Sequence, residues 1–163
     1  MPTNLICPCC SGLTYAECCH PYHSTGASPQ TALSLMRSRY SAYSLRNSPY
    51  LLASWDINTR PASIDFSQET AVWEKLEILH CAKGGLHDTK GTVEFKAYYA
   101  QAGLSHVLHE TSRFKKTHAR WFYLDGKAKI LAPATIFSQP SPAKNALCTC
   151  GSGKKYKRCC GVQ

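Results

Sequence analysis

Val93-Glu-Phe-Lys-Ala-Tyr-Tyr99 decides the fold class. Val93, Phe95, Ala97 and Tyr99 alternate with Glu94, Lys96 and Tyr98, the period of two that marks a strand with one covered face. Further candidate strands lie at about 74–82, 104–116 and 120–125, separated by Gly84-Gly85, the Ala102-Gly103 break and the short Thr117-His118-Ala119 turn. Upstream the period changes. Leu33, Met36, Tyr40 and Tyr43 recur at steps of three and four, the stripe of a helix burying one face. A second, shorter helix is expected from Ser48, as N-cap, with Pro49 at its first helical position, to about Trp55. Helices followed by an antiparallel sheet make the class α+β.

The chain has 163 residues, enough for one core with small appendages. No segment approaches the roughly 18 consecutive apolar residues of a membrane-spanning helix. Met1-Pro-Thr-Asn-Leu-Ile6 has neither a basic start nor an apolar stretch, so it does not read as a secretory signal and a cytoplasmic location is expected. Ten cysteines are far above ordinary usage, and in a reducing compartment such an excess points to metal rather than disulfides.

Nine of the ten cysteines lie at the two ends of the chain, and only Cys81 lies between. Cys7-Pro-Cys9-Cys-Ser-Gly-Leu-Thr-Tyr-Ala-Glu-Cys18-Cys19 and Cys148-Thr-Cys150-Gly-Ser-Gly-Lys-Lys-Tyr-Lys-Arg-Cys159-Cys160 follow one pattern, C-x-C-x8-C-C, at a constant offset of 141. Ser11/Ser152, Gly12/Gly153 and Tyr15/Tyr156 extend the repeat beyond the thiols. Four thiolates on a backbone that reverses suit a tetrahedral Zn²⁺ site, and four-sulfur sites accept iron as well. Two sites are expected, Cys7, Cys9, Cys18 and Cys19 at one end and Cys148, Cys150, Cys159 and Cys160 at the other. All four positions are then filled by protein, which makes the metals structural. In the first copy Cys10 replaces Gly151, so Cys10, His20 or His23 stands as an alternative ligand.

These two stretches resemble the SEC-C motif, the metal knuckle at the C-terminus of the preprotein translocase ATPase SecA. Two knuckles around one central domain resemble the bacterial YchJ-like family, as do Leu35-Met-Arg-Ser-Arg-Tyr40, Tyr50-Leu-Leu-Ala-Ser-Trp55, Gly91-Thr-Val-Glu-Phe95, His109-Glu-Thr-Ser-Arg-Phe114 and Trp121-Phe-Tyr-Leu-Asp-Gly126. The resemblance implies a central domain similar to the nuclear transport factor two-like fold, helices packed on a bent antiparallel sheet that forms a cone. It implies no reaction.

The expected organisation is an N-terminal knuckle at 1–23, a central domain at 24–137 entered through the turn-rich 24–30, and a linker with the C-terminal knuckle at 138–163. A knuckle of about 13 residues folds only with its metal, whereas the centre has its own core. Cones of this type can enclose a pocket, and the polar residues expected at one are Arg37, His80, His109, Glu110 and Arg113. A catalytic reading would set His109 or His80 beside Glu110 or Asp125. The plainer reading gives Glu110 or Asp125 a structural ion pair with an arginine and makes Cys81 a buried apolar residue. No catalytic residue is assigned.

The formal net charge of +9 falls to +5 once each four-thiolate Zn²⁺ site contributes −2. Lys144, Lys154, Lys155, Lys157 and Arg158 make the last twenty residues basic with no acid among them, while the N-terminal knuckle has Glu17 and no lysine or arginine. With Tyr156 among these charges, the C-terminal knuckle offers a basic surface to an acidic protein, or to a ribosome or other RNA surface. The sequence therefore points to a metal-binding adaptor. The alternative is an enzyme or small-ligand binder working from the central pocket.

Overall fold

A computed structural model describes residues 5–131. Three helices, α1 (His20–Ser24), α2 (Ala32–Ser44) and α3 (Ser48–Ala53), precede four strands, β1 (Val72–Lys83), β2 (Lys90–Gln101), β3 (Leu104–Thr117) and β4 (Arg120–Leu131). The strands pair antiparallel in the order β1-β2-β3-β4, which is the α+β arrangement expected. Register shifts at Trp73/Lys75 and Ile78/His80 in β1, and opposite Arg113/Phe114 where β4 carries the extra Leu124, bend the sheet.

The alternation in β2 is what it promised. Val93, Phe95 and Ala97 are buried beneath α2 with Leu35, Met36, Tyr40, Leu76, Phe114 and Trp121. Each large apolar side chain removed from water in this way contributes about 1.5–3 kcal/mol. Ala102-Gly103 and His118-Ala119 have positive φ at both positions, the two-residue turns whose twist suits tight hairpins. At the mouth of the first hairpin, a Cβ on Gly91 would lie 2.6 Å from Gly84 Cα and 3.2 Å from Ala32 Cβ. Glycine there lets the hairpin meet the start of α2, where Ala32 N donates to Gly84 O at 2.9 Å.

Three boundaries differ from expectation. The N-cap of α3 is Asn47, whose side chain accepts from Tyr50 N at 3.1 Å, and Ser48 and Pro49 fall in the first turn. The same helix ends at Ala53. β4 continues to Leu131 because Gly126 pairs with Ser112 and carries the ladder onward.

Asp56, just past α3, fastens this end of the helical layer to β3. Its carboxylate is 5% exposed and takes Lys115 Nζ at 2.5 Å and Asn58 N at 3.1 Å. The hydrogen bond from Lys115 is the main cause holding Asp56 below the usual carboxylate range. With the folded pKa depressed, this contribution is present above the unfolded value of about 3.9 and is lost as pH falls through the folded one. Urea melts of the wild type and Asp56→Asn should therefore differ at pH 6 and converge as pH drops below about 4. The comparison cancels any acid loss of thiolate-bound metal, which both proteins share. A difference independent of pH would show that the pair carries no linked stability.

Candidate metal centre

The first cysteine stretch folds as a tight reversal. Cys7 N donates to Leu13 O at 2.9 Å, Tyr15 N to Leu5 O at 2.8 Å and Cys10 N to Cys7 O at 3.1 Å. Gly12 has φ 85° and Cys10 φ 57°, both left-handed. Position 10 is where the second copy carries Gly151, the residue that takes this conformation without a Cβ penalty. A turn then returns the chain, with His20 N donating to Tyr15 O at 2.9 Å, and leads into α1.

The result is that Cys7, Cys9, Cys18 and Cys19 place their Sγ atoms within 4.8 Å of one another. Cys9 and Cys18 Sγ are 3.5 Å apart, Cys18 and Cys19 Sγ 3.7 Å. A tetrahedron with arms of about 2.3 Å has edges of about 3.8 Å, so the donor set fits a four-sulfur metal. Cys10 stays outside the cluster, exposed, with its Sγ 3.4 Å from Pro8 O. His20 Nδ1 faces Ser24 Oγ at 3.3 Å, and His23 is held by Tyr15 Oη at 2.8 Å and Ser38 O at 2.9 Å, so neither joins the thiols.

Protons are shared unequally in this space. Hydrogen bonds from Cys19 and Cys7 hold the Cys9 thiol far below its usual range. Burial pushes Cys18 up to about 11, and hydrogen bonding to Cys7 and Cys9 pushes Cys19 up. One sulfur ionises readily at the others' expense, and a bound cation is what allows all four to be thiolates together.

The cluster is built into the core. Cys7, Cys9 and Cys19 are 2%, 0% and 1% exposed and pack with Leu35, Met36 and Tyr40 of α2. Ser41 Oγ lies 3.5 Å from Cys7 Sγ and donates to Cys19 Sγ at 3.4 Å, and Ser11 Oγ lies 3.2 Å from Cys18 Sγ. Arg37 Nη1 donates to Cys9 O at 2.7 Å, tying α2 to the backbone of the cysteine loop. Arg37 thus serves the cysteine cluster, where a pocket residue was expected. Nothing in its helical spacing gave that away.

A second feature is a cavity of about 240 Å³ between α2 and the sheet, with Arg39, Tyr40, Tyr43, Trp73, Glu110 and Tyr123 on its walls. Of the five polar residues expected at a pocket, Glu110 alone lines it. His80 is exposed on β1. His109 Nε2 meets Glu94 Oε1 at 2.8 Å on the outer face of the sheet, and Arg113 Nε donates to Asp125 Oδ1 at 2.6 Å there as well. The period of two explains the division: His109, Thr111 and Arg113 share one face, Glu110, Ser112 and Phe114 the other, and the latter is inside. Phe114, 1% exposed, was the signal. The arginine ion pair is Arg113 with Asp125, and Cys81 is exposed where burial was expected. Cys148, Cys150, Cys159, Cys160 and the basic run Lys154, Lys155, Tyr156, Lys157 and Arg158 lie outside the described residues. Among the described residues no helix is long and apolar enough to cross a membrane.

A bent antiparallel sheet under helices, with a four-cysteine knuckle against the first long helix, defines a SEC-C protein with a nuclear transport factor two-like centre. Family models agree: "YchJ, middle NTF2-like domain" matches residues 31–126, and the SEC-C motif matches 4–21 and 145–161. The chain belongs to the YchJ-like UPF0225 family. A UPF0225 protein of Serratia proteamaculans is 40% identical over 96% of this chain and 97% of its own, and one of Geobacter sulfurreducens is 40% identical over 98% and 99%. Among solved structures, a SEC-C motif-containing protein of Rhodopseudomonas palustris has a TM-score of 0.67 at 33% identity, covering 76% of this chain and 98% of that one. The crystal structure of another, from Psychrobacter arcticus, has a TM-score of 0.61 at 30% identity over 99% and 98%.

Proposed function

We propose that this is a zinc-binding adaptor that holds one metal in each SEC-C knuckle and docks an acidic protein or a ribosomal RNA surface through the basic C-terminal one. The ligands are Cys7, Cys9, Cys18 and Cys19, and Cys148, Cys150, Cys159 and Cys160. The observation that carries the reading is the convergence of the first four sulfurs within 4.8 Å, together with a second copy of the same spacing. Four protein thiolates leave no open position for water or substrate, so the metal is structural. Docking falls to the second copy because Lys154, Lys155, Lys157 and Arg158 lie in sequence between its two cysteine pairs, with Tyr156, an aromatic of the kind that stacks on bases, among them.

The test has two parts on the same preparation. Elemental analysis of fresh protein should give two zinc ions per chain, and one ion or none with all thiols free would remove at least one site. Protein in which the four basic residues are reversed to glutamate should keep both metals and lose co-sedimentation with ribosomes and capture of acidic partners. Native binding should itself weaken as salt rises, since exposed charges are screened within about 8–10 Å near physiological ionic strength. Equal recovery of the same partners by the reversed protein, with the same salt response, would make the knuckle a structural clip only.

A further inference from the structure

We infer that the cavity between α2 and the sheet binds a small, neutral, flat heteroaromatic molecule that presents a hydrogen-bond acceptor and a donor on one edge. Its volume of about 240 Å³ lies just below the roughly 300–1,000 Å³ of sites for drug-sized ligands, so the guest is a molecule of one or two rings. Tyr40, Tyr43, Trp73, Phe95 and Tyr123 supply aromatic walls. Tyr40 and Trp73 meet edge to face, with centroids 5.9 Å apart and planes at 77°. Rings so arranged receive another flat ring by stacking or edge contact.

The polar ends set the chemistry. Arg39 is 3% exposed, and its Nη1 donates to Leu51 O at 2.8 Å and Ser54 Oγ at 2.7 Å. Its guanidinium has five N–H donors, and among the described residues no carboxylate forms a salt bridge with it. Glu110 lines the same cavity. Its Oε1 accepts from Ser112 Oγ at 2.6 Å and Tyr123 Oη at 3.3 Å, and its Oε2 accepts from nothing among the described residues. Gly126 makes room for that carboxylate, since a Cβ there would stand 2.0 Å from Glu110 Oε1. Tyr40 adds a buried hydroxyl with no partner among the described residues.

One wall therefore offers donors and another an acceptor, and their charges cancel. A carboxylate ligand would gain at Arg39 and be repelled at Glu110, while also losing its hydration. A neutral edge with one acceptor and one donor satisfies both groups at a smaller desolvation cost.

The test is calorimetric titration of the full chain with three probes of similar size: quinazolin-4-one, neutral with acceptor and donor; isoquinoline, with an acceptor only; and 2-naphthoate, an anion. Quinazolin-4-one should bind saturably and at least about tenfold more tightly than either of the others, a gap of about 1.4 kcal/mol. Ala97→Leu extends a cavity wall into the space and should weaken it at least tenfold. Should that variant fold poorly, Glu110→Gln gives a second reading: removing the negative charge should narrow the gap between quinazolin-4-one and 2-naphthoate at least threefold. The inference is overturned if 2-naphthoate binds as tightly as quinazolin-4-one in the native protein, if the variants leave all affinities unchanged, or if no probe saturates below about 1 mM.

Discussion

Loss of the N-terminal metal is expected to lower the stability of the whole of residues 5–131, not only of the knuckle. Seen as a sequence, the knuckle is a module that loosens alone while the centre unfolds as before. The packing argues otherwise, because Cys7, Cys9 and Cys19 occupy the same buried cluster as Leu35, Met36 and Tyr40. Without a cation, four crowded sulfurs must keep their protons or separate, and separation opens one side of α2. Structural zinc contributes about 10–16 kcal/mol of apparent folding free energy in small fingers, against about 5–15 kcal/mol for an entire domain. Even a modest share reaching α2 is large. Cys19→Ser should therefore shift the urea transition read by tryptophan fluorescence by about 3 kcal/mol or more. The reporters Trp55, Trp73 and Trp121 all lie outside the knuckle. Cys10→Ser, at an exposed thiol, should stay within about 0.5 kcal/mol. Cys10→Gly, which copies residue 151, should gain up to about 1 kcal/mol by relieving φ 57°. An unchanged tryptophan transition in Cys19→Ser would mean that the knuckle and the helix do not share their stability.

Truncating Arg39 should cost nearly as much. Its guanidinium lies 5.0 Å from the centroid of Trp55 and 4.5 Å from that of Tyr123, beside two rings that meet each other edge to face at 4.8 Å. It also joins α2 to the end of α3 through Leu51 O and Ser54 Oγ. Arg39→Ala removes two desolvated cation–π contacts of about 2 kcal/mol each and leaves buried oxygens short of a donor, for a loss of about 3–5 kcal/mol. Arg39→Lys keeps the charge without the planar fork and should recover less than half of it. Thermal and urea unfolding of both variants measure this directly, and a loss below about 1 kcal/mol in Arg39→Ala would make the arginine a passenger.

What was legible in the sequence follows from what each pattern can carry. Period two in β2 reported both the strand and its buried face, because a single sheet has only one covered side. The stripe Leu33, Met36, Tyr40 and Tyr43 located α2 but understated it. That helix is covered by the sheet on one side and by the knuckle on another, so Ser38, Arg39 and Ser41 are buried as well. Polar residues inside a helix read as solvent-facing until their partners are known. Their partners are Tyr50 Oη, Leu51 O and the cysteine sulfurs, all distant in sequence or on other elements. The α3 cap slipped by one residue because Asn47 and Ser48 are both capping types. β4 was cut short because Gly126, Lys127 and Lys129 have weak strand preference, and only pairing with β3 sustains them. The first cysteine cluster was legible as a set of four, since ligand spacing is a local property, but the spacing left Cys10, His20 and His23 open as alternatives.

The docking of the knuckle on α2 also imposes an order in time. During synthesis Cys7 through Cys19 emerge from the ribosome before Arg37 and Ser41, the residues that cover them. At about 5–20 residues per second the interval from residue 19 to the end of α2 is roughly one to five seconds. For that period the sulfurs can meet metal, or an oxidant, with no roof over them. The nascent chain is thus at its most acquisitive while its first turns stand alone outside the ribosome, and emergence of α2 closes the window.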